Sequence, residues 1–163
     1  MTLSIAIVTI SDTRTAKTDE SGQLLQNYAE QSGHTVLDRM FVVDEVSEIT
    51  GAVQRLIDDD RVDVVLTTGG TGITKRDVTP EAIKGLSTKH IPGFGELFRM
   101  LSYKEIGTST IQSRADGWLC DTTLVFALPG SPNAIRLAWE SILVHQLNSE
   151  FRPCNFVQLK DRF

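Results

Sequence analysis

From Thr67 to Glu81 the chain reads TTGGTGITKRDVTPE, a run that joins hydroxyls, glycines, two cations, an aspartate and a helix-start signal. Glycines let a ligand approach bare backbone, and successive N–H groups form a concave nest for an anion. Thr68, Gly69, Gly70, Thr71 and Gly72 are therefore read as the floor of a crevice for phosphate or carboxylate, with the threonine hydroxyls as further donors. Lys75 and Arg76 place cations beside the floor and Asp77 adds a carboxylate, the donor type a hard cation takes alongside phosphate oxygens. Taken separately, the glycines would suit a tight strand-to-helix turn, and Lys75-Arg76-Asp77 a solvated loop. Their adjacency favours a phosphate–metal site. Two familiar phosphate motifs fail: a P-loop begun at Gly69 would need glycine where Thr74 stands, and a dinucleotide fingerprint begun at Gly70 would need glycine at Lys75.

The elements around this run must bring it to a strand end. Leu3 to Ile10 and Val62 to Thr68 are short, β-branched apolar runs, as expected of strands covered on both faces. His34 to Val43 reads as a strand with polar interruptions, and Thr122 to Gly130 as another. Helical spacing joins Leu24, Leu25 and Tyr28, a segment ended by Gly33, and again Val46, Ile49, Val53, Leu56 and Ile57, closed by Asp58 to Asp60. Strand, helix, strand, helix, strand implies right-handed crossovers and a mainly parallel sheet. Pro92 to Gly107 reads as a helix entered through a glycine turn. Ser131 is the expected N-cap of a last helix with Pro132 at its first position and Ile135, Trp139, Ile142 and Leu143 facing inward. Likewise Thr79, Pro80 and Glu81 read as N-cap, first helical residue and first-turn acid. Residues 1–163 show no repeat or linker and read as one domain.

Composition narrows the function classes. A net charge of −5 argues against a broad nucleic-acid face but allows a local cationic pocket. No apolar run has the length of a membrane span and the N-terminal stretch lacks a basic flank, so the chain reads as cytoplasmic. Cys120 and Cys154 are far apart and read as free thiols behaving as small apolar residues. His34, His90 and His145 make no pair at metal-ligand spacing, which argues against a soft-metal site.

Several segments together carry a family resemblance: TTGGTG with RDVTPEA, TISD from Thr9 to Asp12, IPGFGE, LPGSP and the tail FRPCNF. The chain resembles, over nearly its whole length, the MoaB/Mog family of molybdenum cofactor biosynthesis, with the tail and length closer to the MoaB branch. That likeness implies a three-layer α/β sandwich, and homotrimers often paired into hexamers. It also implies magnesium-dependent adenylylation of molybdopterin by ATP with release of pyrophosphate. Matching the family motif, Asp77 and Asp44 would hold magnesium and position the reactants. Asp44 also fits an N-cap for the helix starting at Val46, a compatible role, and Glu45 ranks behind it. Some members of the MoaB branch lack acids at these positions; this chain retains both.

The same resemblance places substrate contacts at Ser11 and Asp12, at Thr68 through Gly72, at Pro129, Gly130 and Ser131, and at Ser113 and Arg114. Arg76 joins them as the cation beside the floor. For Ser131 plain capping is an equal reading, and for Arg114 a surface ion pair. Trp118 and Trp139 are read as packing residues rather than pterin-stacking ones. Two other functions use the same crevice: a molybdopterin-binding carrier without catalysis, and a generic nucleotide-binding module. A metal-insertion enzyme is the downstream partner that the family likeness implies.

Overall fold

The computed structural model describes residues 1–163. Six strands form one sheet: β1 (Ser4–Ile10), β2 (Thr35–Val42), β3 (Val64–Thr68), β4 (Lys89–His90), β5 (Asp116–Cys120) and β6 (Thr123–Leu128). Their order is β2-β1-β3-β6-β5-β4. The first four in that order run parallel, while β5 is antiparallel to β6 and β4 to β5. The expected mainly parallel, three-layer architecture is what forms.

Alternation along the strands divides the apolar side chains between two cores. Ile5, Ile7, Val64, Leu66 and Phe126 face one side and pack with Leu25, Phe98 and Trp139. These come from α1 (Glu20–Gln31), α4 (Pro92–Ile106) and the run that starts at α5 (Pro132–Ala138). Ala6, Val8, Val65 and Val125 face the other side, under Ile49 and Val53 of α2 (Val46–Ile57) and Ile83 of α3 (Thr79–Lys84). From β1 the chain crosses to β2 on one flank, then returns past β1 to β3 on the other. The sheet therefore reverses its winding between β1 and β3. In open parallel sheets ligands collect outside the carboxyl ends of the strands at such a point.

Four local expectations are corrected. α4 begins at Pro92, so Gly93 and Gly95 lie inside the helix rather than in an entry turn. Gly95 is needed there for contact: a Cβ would fall 2.6 Å from the Ala115 carbonyl oxygen. Thr79 is the first residue of α3, not its cap, and its hydroxyl donates to the Gly69 carbonyl at 2.9 Å instead. Asp44 does not cap α2; Glu45 occupies the cap position and makes no side-chain cap bond. Cys154 is exposed, unlike the buried Cys120, so only the latter behaves as a core residue. The helix after Ser131 also loosens into a π-turn at Trp139–Leu143, yet Ile135, Trp139, Ile142 and Leu143 are all buried as expected. No helix is long and apolar enough to cross a membrane.

One buried polar knot fixes the loop between β1 and α1. Asp19 accepts from the Thr9 hydroxyl at 2.6 Å, the Gly22 amide at 2.9 Å and the Arg39 guanidinium at 2.9 Å. Burial raises its carboxyl, but the hydroxyl, the amide and the arginine outweigh that and hold it below the usual carboxylate range. A depressed carboxyl contributes stability that is present above its unfolded pKa and lost as pH falls through the folded value. Asp19→Asn is therefore expected to cost about 2 kcal/mol at neutral pH. The difference from wild type should shrink on acidification below about pH 4, as thermal melts across that range would show.

Candidate functional site

The loops that follow β1, β3 and β6 meet at the carboxyl edge of the sheet. The Gly69 amide donates to the Leu128 carbonyl at 3.0 Å, and the Thr68 hydroxyl to the Pro129 carbonyl at 3.0 Å. Ser21 of α1 donates to the Gly130 carbonyl at 2.8 Å, which pins the same loop from the helix side. Gly69 has φ of 110°, and a Cβ there would fall 2.2 Å from the Ile10 carbonyl oxygen. Gly70 has φ of 65°, with Thr79 Oγ1 and Asp44 Oδ1 at 2.3 Å and 3.1 Å from where its Cβ would be. Only glycine suits either position. Thr79 takes up both carbonyls of this pair, its amide bonding to the Gly70 oxygen at 3.1 Å and its hydroxyl to the Gly69 oxygen. The amides of Gly70 and Thr71 donate to no protein acceptor. Two adjacent amides thus have no partner within the protein, as the sequence reading of the floor requires.

Both acidic candidates border this loop. Asp44 stands against Gly70, two residues beyond the end of β2; no side chain donates to its carboxylate, whose one protein donor is the Asp12 amide. Burial raises its carboxyl, and Asp12 raises it further, against the opposing charge of Arg76. A desolvated carboxylate with another acid beside it gains from a bound cation. Asp77 lies over Gly72, where a Cβ would come 2.8 Å from its Oδ2, and accepts from the Thr74 amide at 2.8 Å. Burial would raise Asp77 as well, but the hydrogen bonds from Thr74 and Gly72 and the charge of Arg114 leave it below the usual range. Asp77 is ionised and held in place; Asp44 has no side-chain donor and lies beside another acid.

The cations are placed differently from the sequence expectation. Arg76 bonds Asp12 at 2.7 Å and Glu45 at 2.6 Å, bridging the loop after β1 to the start of α2. With Arg76 half exposed and its two partners 43% and 56% exposed, these pairs are weak and can give way to a ligand. Asp12 also accepts from the Asp44 amide at 3.2 Å, so it helps to seat that residue. Arg114 does not make a simple surface ion pair. Its side chain donates to the Gly72 carbonyl at 2.6 Å and to the Asp77 carbonyl at 2.7 Å, and pairs with Glu81. The Ser11 hydroxyl accepts from the amides of Thr13 and Arg14 at 3.2 Å each, and Ser131 caps α5 by accepting from the Ala134 amide at 3.3 Å. Either hydroxyl still has its own proton to donate.

Two cavities flank the loop. The larger, about 1010 Å³, is bordered by Asp44, Glu45, Lys75 and Arg76 and by the polar face of α2 at Ser47 and Thr50. The smaller, about 550 Å³, is bordered by Glu81 and Lys84 of α3, Arg99 of α4, Ser113, Arg114 and Trp118. The sequence candidates thus divide: Asp44 and Arg76 edge one cavity, Ser113 and Arg114 the other, and neither cavity is lined by residues 68–72 or 129–131. The sequence reading missed Lys84 and Arg99, because single cations on two separate helices form no motif. It also missed the His90–Asp116 pair at 2.6 Å, whose imidazole stacks on Trp118 with centroids 5.9 Å apart. Trp118 and Trp139 are both buried in the cores, in keeping with packing.

No group of three or more His, Cys, Asp or Glu side chains converges as a cage for a metal ion. Two carboxylates beside a phosphate nest still suit magnesium, which keeps several waters and takes one or two carboxylates plus substrate phosphate oxygens. The desolvated Asp44 carboxylate, with Asp12 beside it and no side-chain donor, is the feature of this structure that such an ion would satisfy.

Residues 6–149 match the family model described as "Probable molybdopterin binding domain". The chain is 49% identical over 152 residues to molybdenum cofactor biosynthesis protein B of Escherichia coli K12, covering 93% of this chain and 89% of that one. Its fold superimposes on a crystal structure of a molybdenum cofactor biosynthesis protein B with a TM-score of 0.88 at 50% identity, covering 90% of this chain and 92% of the other. A tungsten cofactor synthesizing MoaB from Pyrococcus furiosus matches at a TM-score of 0.76 and 38% identity, covering 87% and 91%.

Proposed function

The chain belongs to the molybdopterin-binding family of molybdenum cofactor biosynthesis proteins, and from that premise we propose that it adenylylates molybdopterin with ATP. In the proposed reaction a terminal phosphate oxygen of molybdopterin attacks the α-phosphorus of ATP. The new P–O bond forms as the bond to the β-phosphate oxygen breaks, and pyrophosphate leaves with that electron pair. The attacking phosphate is already largely ionised near neutral pH, so the site needs no strong base. It needs to bring anions together in line and offset their repulsion.

Each part of the site has a job in that scheme. The Gly70 and Thr71 amides receive phosphate oxygens without reorganising, because Thr79 and the β6 loop already fix the turn. Asp44 and Asp77 would hold magnesium against those oxygens, and the ion, when bound, supplies positive charge to the transferring phosphoryl group. Arg76 can exchange its exposed carboxylate partners for a phosphate. The two cavities offer two anionic substrates separate seats, one edged by Asp44 and Arg76 and the other by Ser113 and Arg114.

The observation that carries the reading is the meeting of two amides that have no protein acceptor with a desolvated Asp44 lacking any side-chain donor and an ordered Asp77 at one turn. Its test is direct. Protein, ATP, magnesium and molybdopterin are mixed, and the products are examined for an AMP adduct of the pterin and for pyrophosphate. Both are expected. Molybdopterin binding with neither product would leave a carrier of the same pathway, and ATP binding independent of the pterin would leave a nucleotide module.

A further inference from the structure

We propose that Arg114 is a positioning residue: its guanidinium fork, braced by Glu81, holds the loop from Gly72 to Asp77 in its working shape instead of contacting substrate. The consequence for catalysis rests on the function proposed above; the positioning itself does not.

Few other bonds tie this loop to the body of the protein. The turn from Thr74 to Asp77 is closed by bonds within itself, the Thr74 amide to Asp77 Oδ2 at 2.8 Å and the Asp77 amide to the Thr74 carbonyl at 3.1 Å. Arg76 reaches outward, but through exposed ion pairs that contribute little. Arg114 supplies the rest. Its own amide donates to the Thr71 carbonyl at 2.8 Å, Nε to the Gly72 carbonyl at 2.6 Å, and Nη2 to the Asp77 carbonyl at 2.7 Å. One residue therefore grips both ends of the loop that carries Asp77.

Geometry makes arginine specific here. Bonds from Nε and Nη2 to two carbonyls use the planar fork, which the point charge of a lysine cannot reproduce. Glu81, on the first turn of α3, takes Nη1 and fixes the remaining rotation of the plane. The backbone that carries Arg114 is itself braced, since Arg99 of α4 donates to the Ala115 carbonyl at 2.9 Å. With three of its nitrogens bonded to the protein's own oxygens, the guanidinium has its main donor directions committed.

Amide hydrogen exchange of the ligand-free protein tests this, paired with the dissociation constant for ATP. In Arg114→Ala, the hydrogen-bonded amides of Thr74 and Asp77 are expected to exchange about tenfold faster or more, with β1, β3 and β6 unchanged, and ATP affinity to fall. Arg114→Lys should behave like the alanine variant, because charge without the fork does not hold the loop. Glu81→Gln, a milder change that retains the fold if Arg114→Ala does not, should give a smaller acceleration confined to the same amides. Unchanged loop exchange with weaker ATP binding would overturn the proposal and make Arg114 a substrate contact. So would full protection in Arg114→Lys, and so would faster exchange spread evenly over the sheet. If the loop loosens as expected while wild type forms no AMP adduct, the positioning stands and the proposed reaction falls.

Discussion

Asp77→Asn is expected to lower turnover by about ten-fold or more, on the order of 1.4 kcal/mol in the barrier, while molybdopterin binding is retained. Asparagine has nearly the shape of aspartate, and its side-chain oxygen can still accept the Thr74 amide that Asp77 now accepts at 2.8 Å. The turn should therefore persist. What the variant removes is the negative charge beside the amides of the floor, which in the proposed reaction is one of two that hold magnesium. Pyrophosphate release against a fluorescence titration of the pterin separates the two effects, and unchanged turnover would refute the role. Asp44→Asn should lose turnover in the same way but differ in stability. The Asp44 carboxyl is raised first by burial and then by Asp12, so its ionised form disfavours the folded state above that raised value. The asparagine variant is expected to melt higher than wild type at neutral pH, and magnesium should lift the melting temperature of wild type more than that of the variant.

Gly69→Ala should cause the largest loss of stability. A side chain at φ of 110° is strained in itself, and its Cβ would lie 2.2 Å from the Ile10 carbonyl oxygen, a backbone atom of β1, which is paired on both sides and cannot move aside alone. About 3 kcal/mol or more is expected, or roughly 6–12 °C in melting temperature for a chain of this size. Gly51→Ala is the matched control. Gly51 lies within α2, where an added Cβ meets nothing within 4 Å. Alanine there should stabilise by about 0.5–1 kcal/mol through helix propensity. Thermal melts of the two variants check both signs together.

The parallel half of the fold was legible because its strands are buried on both faces and read as continuous apolar runs, β1 and β3 most clearly. The antiparallel edge was not. β5, with sequence DGWLC, is short and carries a glycine and a charge, and it turns back to β6 through Asp121 at φ of 54°, a turn that lacks the usual glycine. Thr79 misled for a physical reason: threonine before proline is a good cap, but here the hydroxyl stabilises more by closing the glycine turn at the Gly69 carbonyl. The floor of the site could be read from spacing because its chemistry lies in the backbone of consecutive residues. The partners of its cations could not. Arg76 finds Asp12, 64 residues away in sequence, and Arg114 finds Gly72, 42 away, contacts that only the packing of separate loops creates.

The most direct measurement is a titration of the isotopically labelled protein with ATP and magnesium, followed amide by amide in solution NMR. If the turn after β3 gathers the phosphates, the largest shifts will be those of the Gly70 and Thr71 amides, with Gly72 following. Saturable binding that leaves those two amides unmoved, with shifts confined to the face of α2, would contradict the account.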